Sequence, residues 1–279
     1  MVTATAPPPM HCQITPALDH LSWSGIKTYT TCPKKFHFHY IEKAPKEFVA
    51  AALAFGSAFH VALDGMHQAL MEGAAMPSIE TLLTKYDESW KAETGKASNV
   101  VFAKTEDASV LRKTAERMLE AYCDYIAASG IGENGAQIIG IEHAHRFRLL
   151  ADVPPLEMRL DLMELVNGDL IVTDVKTARS KWNEQKIIEG LPQLVLYANG
   201  LVPLVKELGA KRIVPRFVVV SKAKTPVVQV LEPKATQDDV ARLRKHVADT
   251  WSAIQAGVFI QREGWHCNQC PYRKRCLGH

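Results

Sequence analysis

Asp161, Asp174 and Lys176 supply two carboxylates and an ammonium from which a hydrolytic centre can be assembled. Side chains alternate faces along a strand, so an extended Asp174-Val175-Lys176 turns the carboxylate and the ammonium one way and Val175 into the packing beneath. With Asp161 on the same face, two carboxylates and one ammonium converge. Carboxylates hold a divalent cation, and a lysine beside them can orient or help deprotonate a water, which is a hydrolytic site in outline. An arbitrary Asp-x-Lys facing another charge is more often an exposed cross-strand ion pair, common and individually weak. The hydrolytic reading therefore depends on the rest of the chain.

The cysteines are the second group. Cys267, Cys270 and Cys276 fall close together near the C-terminus in the spacing C-x2-C-x5-C, one thiolate short of a four-ligand centre. Cys32, followed by Pro33 and far away in sequence, can supply the fourth. Four thiolates bind zinc or a [4Fe–4S] cluster, whereas without a metal they would be free buried cysteines. Cys123, between Tyr122 and Ile126, reads as core, and Cys12 lies in a loose N-terminal stretch. His60 and His67 stand a heptad apart on one predicted helix. A histidine there is usually a hydrogen-bonded packing residue, unless the Asp-x-Lys group lies opposite it.

The elements that must position these residues follow from hydrophobic period. Leu160, Leu162, Leu165 and Val166 predict one strand, Asn167-Gly168 the tight turn that primed hairpins favour, and Leu170-Ile171-Val172 the returning strand. Strands are expected over 138–147, 156–166, 170–177, 213–221 and 227–231. Ser22 or Ser24 caps a short helix that ends at Cys32-Pro33, after which Phe36, Phe38 and Tyr40 recur at alternating spacing. Further helices are expected over 54–72, 78–92, 104–128, 184–208 and 237–256. The result is an α/β fold: a mixed central sheet with flanking helices, a helical N-terminal part and a cysteine tail. The expected division is a loosely ordered 1–20 and a single domain over 21–279, made of a helical part (21–130), a core (131–257) and the tail (258–279).

Composition bounds the rest. The 279 residues are 47% hydrophobic, enough for a full core without staples. A net charge of +3 does not announce a nucleic-acid binder, so any basic surface must be local. No apolar run reaches membrane-spanning length, and Pro7-Pro8-Pro9 opens nothing like a secretion signal, so a soluble cytoplasmic protein without a membrane partner is expected. Gly95-Lys96-Ala97-Ser98 has no glycine five residues ahead and is not a phosphate-binding P-loop.

Taken together, Ser22-x-Ser24 with Cys32-Pro33, Gly56-Ser57-x-x-His60, Asp161, Asp174-Val175-Lys176-Thr177, Gln193-x-x-x-Tyr197 and the terminal cysteines resemble the PD-(D/E)xK nuclease superfamily. The resemblance is specifically to its RecB-like, iron–sulfur exonucleases of the CRISPR-adaptation, phage and AddB types, and runs from Ser22 to Cys276. It implies a restriction-endonuclease-like core in which Asp161, Asp174, His60 and the Val175 carbonyl hold Mn²⁺ or Mg²⁺, with the imidazole favouring Mn²⁺. It makes Lys176 the residue that positions the water, and has Gln193 and Tyr197 support the site and touch DNA. Glu142 matches an acidic position behind the ligands, and Cys32, Cys267, Cys270 and Cys276 hold a [4Fe–4S] cluster, with zinc the alternative. The activity implied is a DNA exonuclease on single strands or duplex ends, in phage recombination, repair or CRISPR spacer acquisition, with the proteins of those pathways as partners. The alternative is a non-catalytic, cluster-stabilised DNA-end-binding subunit. Two residues depart from the pattern: Met158 stands where a glycine is usual, which would narrow the approach of a phosphate, and Asp174 replaces a longer glutamate.

Overall fold

Asn167 and Gly168 have φ of +52° and +86°, the two left-handed residues a two-residue primed turn demands. The strands on either side pair directly from Val166 opposite Asp169, so the turn sets the register of everything downstream. The computed structural model describes residues 18–96, 99–131 and 136–278. The expected loose start, Cys12 included, lies almost wholly in 1–17, outside the described residues.

In chain order, β1 (Leu21–Ser22) leads into α1 (Trp23–Thr31), α2 (Pro33–Phe36) and a π-helical turn over His37–Ile41. Next come β2 (Val49–Ala50), α3 (Ala51–Met71), α4 (Ile79–Thr94), β3 (Val100–Val101) and α5 (Ala108–Ser129). The long strands β4 (Ala136–Phe147), β5 (Leu156–Val166) and β6 (Asp169–Ala178) follow, then α6 (Glu184–Gly200), α7 (Val202–Glu207), β7 (Arg212–Ser221) and β8 (Val228–Leu231). The chain closes with α8 (Gln237–Gln255), a 3-10 turn over Trp265–Gln269 and α9 (Arg273–Leu277). The alternating Phe36, Phe38 and Tyr40 are helical, and the Phe36 and Tyr40 rings meet at 4.8 Å, one turn apart. The helix expected over 184–208 breaks at Leu201, where Pro203 in the first turn of α7 has no N–H to continue it.

The main sheet runs β1-β5-β6-β7-β8, with β4 paired to the other edge of β5. It is mixed: β4, β5 and β6 are antiparallel neighbours, whereas β6 and β7 run parallel through the crossover helix α6. Helices cover both faces. On one, Phe55 and Phe59 of α3, Leu82 of α4 and Tyr122 of α5 pack on Leu162, Val175, Val218 and Val220. On the other, Leu194 and Tyr197 of α6 pack on Leu160, Val172, Phe217 and Val219.

A third cluster joins α1 and α8 through Ile26, Phe36, Val247 and Trp251. Helix α8 begins at a reciprocal Thr236/Asp239 capping box and buries Leu243, Val247, Trp251 and Ile254, one stripe at helical spacing. The chain after α8 is tied back to the N-terminal helices. Tyr29 donates to the Val258 carbonyl at 2.6 Å, Arg262 to the Thr30 carbonyl at 2.7 Å, and the Glu47 N–H to the Pro271 carbonyl at 2.9 Å. No described helix is long and apolar enough to cross a membrane.

Candidate active site

One edge of β5 carries two different partners. Leu156 and Glu157 pair with β1, and Leu162 to Val166 pair with β6. Residues 158–161 between them face a gap in the ladder. Asp161 reaches into this gap, and its Oδ2 accepts the Val175 N–H at 2.6 Å. Because N–H and C=O of one strand residue point the same way, the Val175 carbonyl faces the gap too. Leu160 and Leu162 belong to different cores, so the alternation of faces breaks at Asp161. Across β5, Glu142 sits in mid-strand with φ of +46°. A glutamate held in the left-handed region costs on the order of 1–3 kcal/mol and persists only where its surroundings demand it, often at a functional site.

Asp174 is 2% exposed. Its Oδ1 accepts hydrogen bonds from Gln193 Nε2 at 2.7 Å and Tyr197 OH at 2.9 Å. The same tyrosine hydroxyl lies 3.1 Å from the Arg159 carbonyl, a group that the gap leaves without a ladder partner. Oδ2 differs. Its close partner is the Lys176 ammonium, with Nζ 2.7 Å away. One ammonium leaves this oxygen with lone-pair capacity that a metal cation can also use.

His60, on α3, places Nδ1 3.6 Å from Asp161 Oδ2. Ligand atoms of His60, Glu142 and Asp161 all lie within 4.8 Å of one another, which the sequence expectation of Glu142 standing behind the ligands did not foresee. Burial works against charge on His60, but Asp161 more than offsets it and holds the imidazole pKa above its usual value. Burial likewise resists charge on Asp161, yet His60, Lys176 and the Val175 N–H keep it below the usual carboxylate range. Asp174 is raised by burial, against the pull of Lys176 and with the push of Asp161. Burial would lower Lys176, but Asp174 and Asp161 hold its ammonium above the ordinary value. Burial and the Asp161 charge raise Glu142, while burial and the Glu142 charge push Asp64, one turn after His60, up to about 7. Carboxylates here outnumber the cations that could balance them. The donor set, mostly hard oxygens with one imidazole, fits Mg²⁺ or Mn²⁺.

Two cavities meet at His60 and Arg159. One, about 860 Å³, contains Asp161, Asp174 and Lys176 and is walled by Trp23, Lys27 and Trp182. The other, about 710 Å³, contains Ser57, Asp64, Arg179 and Lys222. Sequence reading missed Asp64, Arg159 and Trp182. Asp64 was findable as the i+4 neighbour of His60, and Arg159 as the i−2 neighbour of Asp161 on its strand. Trp182 lies in an irregular segment with no period to flag it.

Several expectations change in detail. Tyr197 is 3% exposed and its hydroxyl is turned to Asp174, so it supports that carboxylate from within the cleft wall. Met158 is 3% exposed, with its methyl packed where a Cβ on Gly200 would stand, and it still lines the cleft beside Arg159 and Asp161. His67 is 1% exposed and hydrogen-bonds the Tyr122 hydroxyl at 3.0 Å, well inside the core.

Cys32, Cys267, Cys270 and Cys276 line one small cavity between the joint of α1 with α2 and the tail. All are free thiols, and no three of the sulfurs lie within 4.8 Å of one another, judged over the described residues. Burial raises the Cys270 and Cys276 thiols, and the neighbouring sulfurs add to it.

No curated protein sequence matches this chain. Among solved structures, a "Putative exonuclease" from Eubacterium rectale superposes with a TM-score of 0.53 at 12% identity, over 91% of this chain and 88% of that one. At that identity the likeness is one of fold. A protein designated SSO0001 is 13% identical over 91% of this chain and 95% of that one, but its TM-score of 0.34 is too low to carry a structural argument. Residues 20–277 match the family model described as the PD-(D/E)XK nuclease superfamily, and the chain belongs to that superfamily.

Proposed function

We propose that this protein is a metal-dependent nuclease that hydrolyses DNA phosphodiester bonds, acting as an exonuclease on single strands or duplex ends. The observation that carries the proposal is the convergence of His60, Glu142 and Asp161 ligand atoms within 4.8 Å of one another, where His60 and Asp161 also line the cavity that contains Asp174 and Lys176. Asp161, Asp174, His60 and Glu142 would hold the cation, with the Val175 carbonyl facing the same gap. A bound Mg²⁺ or Mn²⁺ supplies charge for the phosphate and lowers the pKa of a bound water.

The protein's own residues do the remainder. Gln193 and Tyr197 occupy Oδ1 of Asp174 and so leave Oδ2 turned to the cation. The Val175 N–H holds Asp161 against the open ladder. Lys176, kept charged by two carboxylates, stands where it can orient a water and offset negative charge developing on phosphate oxygens. Processing of DNA ends would serve recombination, repair or CRISPR spacer acquisition.

The cysteine centre is proposed as a structural [4Fe–4S] cluster held by Cys32, Cys267, Cys270 and Cys276. Its four thiols converge from the two ends of the described chain. Zinc at the same four thiols is the alternative.

The test is incubation of end-labelled linear DNA and of circular single-stranded DNA with Mn²⁺, Mg²⁺ or EDTA. Linear strands should shorten from an end with metal and not with EDTA, while circles survive. Cleaved circles would replace the exonuclease by an endonuclease, and intact linear DNA under every metal would leave a binding subunit.

A further inference from the structure

Trp182 is built more rigidly than a loop residue requires. Its backbone N–H donates to Gln229 Oε1 at 2.8 Å, and Gln229 Nε2 donates to its carbonyl at 3.2 Å, so one side-chain amide on β8 clamps both sides of the residue. Behind the indole, the Phe217 ring lies 5.0 Å away, tilted by 56°. Gly190 of α6 makes room for it: a Cβ there would stand 3.1 Å from Trp182 Cζ3 and 3.0 Å from the Phe217 ring. With its back packed in this way, the half-buried indole lines the cleft that contains Asp161, Asp174 and Lys176. Trp23 and Tyr40, also half-buried, line the same cleft, and the exposed Lys27 is one turn beyond Trp23.

We propose that Trp182 is a base-stacking platform that makes this cleft select an unpaired nucleotide next to the bond to be cut. The inference rests on the nuclease reading of the site and names its substrate more closely. A base inside a duplex already has both faces stacked and cannot offer one to the indole, whereas a single strand or a frayed end can. Stacking is indifferent to base identity because every base has a π face, so the platform confers strand selectivity without sequence selectivity. Clamping the indole in advance removes the ordering cost that a mobile tryptophan would incur on binding.

The experiment measures binding without cleavage. Fluorescently labelled oligothymidylate, an abasic strand of equal length and a blunt duplex are titrated with wild type and Trp182→Leu in EDTA. Leucine keeps apolar contact with Phe217 and Gly190 but has no π face. Trp182→Leu should bind oligothymidylate about tenfold or more weakly, the size of one lost stack. It should bind the abasic strand and the duplex as wild type does. Equal loss on oligothymidylate and abasic strand, or no loss on either, overturns the platform. Should Trp182→Leu not fold, Trp182→Met, a longer apolar side chain that likewise has no π face, should show the same base-dependent loss, and its absence is equally fatal. Mn²⁺-dependent cleavage by the wild type is read separately, so the nuclease reading and the platform fail on different measurements.

Discussion

At Asp174 the two carboxylate oxygens have different surroundings, and that asymmetry predicts how variants behave. Asp174→Ala should lower Mn²⁺-dependent cleavage by at least a thousandfold while single-strand binding in EDTA stays near wild type, because a lost ligand costs several kcal/mol and each ~1.4 kcal/mol is tenfold in rate. Retained cleavage above a thousandth of wild type would remove Asp174 from the site. Lys176→Ala should cut turnover strongly with little change in Mn²⁺ affinity by calorimetry, since an ammonium is no ligand. If Mn²⁺ binding is lost in Lys176→Ala yet kept in Asp161→Ala, the assignment of roles along the hairpin is wrong. Glu142 gives a different kind of test. Asparagine tolerates a φ of +46° better than glutamate and removes a charge that burial and Asp161 oppose. Glu142→Asn should therefore be as stable as wild type or more, by about 1 kcal/mol in EDTA, while binding Mn²⁺ at least tenfold more weakly. A variant both less stable and equally tight would show that Glu142 serves the fold alone.

The gap along β5 is the feature of element scale on which the site depends. It exists because β1 and β6 share one strand edge without meeting, so backbone groups at 158–161 are free for side chains to complete. Helix α3 brings its histidines to this region with opposite outcomes. His60 meets Asp161 at the gap, whereas His67, two turns on, faces Tyr122 of α5 and is buried so fully that its pKa falls to about 4. The sign follows from linkage: the unfolded imidazole takes a proton near pH 6.5 while the folded one resists until about 4, so stability is complete above that range and is lost as pH falls through it. Between about pH 7 and pH 5 this residue should account for roughly 2 kcal/mol of lost stability. Urea unfolding of His67→Gln at the two pH values should show a loss smaller by that amount. An unchanged difference would mean that His67 is not held neutral.

Across the whole molecule, the four cysteines bring together parts that the sheet does not. Cys32 precedes Cys267 by most of the chain, so a metal centre between them closes a loop long enough for a cross-link to restrict the unfolded state strongly. The carbonyl contacts of Tyr29, Arg262 and Glu47 show the two parts docked, so the proposed centre would lock an arrangement the backbone has set. Cys32→Ala and Cys276→Ala should be colourless and melt lower than wild type, with activity falling in step with the folded fraction. Wild type prepared without oxygen should be brown and contain iron and sulfide in near-equal amounts. Stoichiometric zinc would replace the cluster, and a Cys32→Ala protein as stable as wild type would dismiss the four-thiolate centre.

Local rules read along the chain account for part of this arrangement. Asn167-Gly168 dictates the primed hairpin, and the period-2 run after it puts Asp174 and Lys176 on one face with Val175 beneath, because alternation is a property of any extended chain. The stripe Leu243, Val247, Trp251, Ile254 specifies α8 for the corresponding helical reason. Only the tertiary structure decided which edge of β5 would be left unpaired, and with it that Asp161 turns to His60 and the Val175 N–H, not across to Lys176 as a plain ion pair. That Met158 lies under Gly200, that Tyr197 supports Asp174 from within and that Glu142 adopts a left-handed backbone also depend on how β1, β4 and α6 meet β5. Sequence spacing records neighbours along a strand or helix, while these contacts join residues brought together by packing over tens of positions, where no local period carries the information.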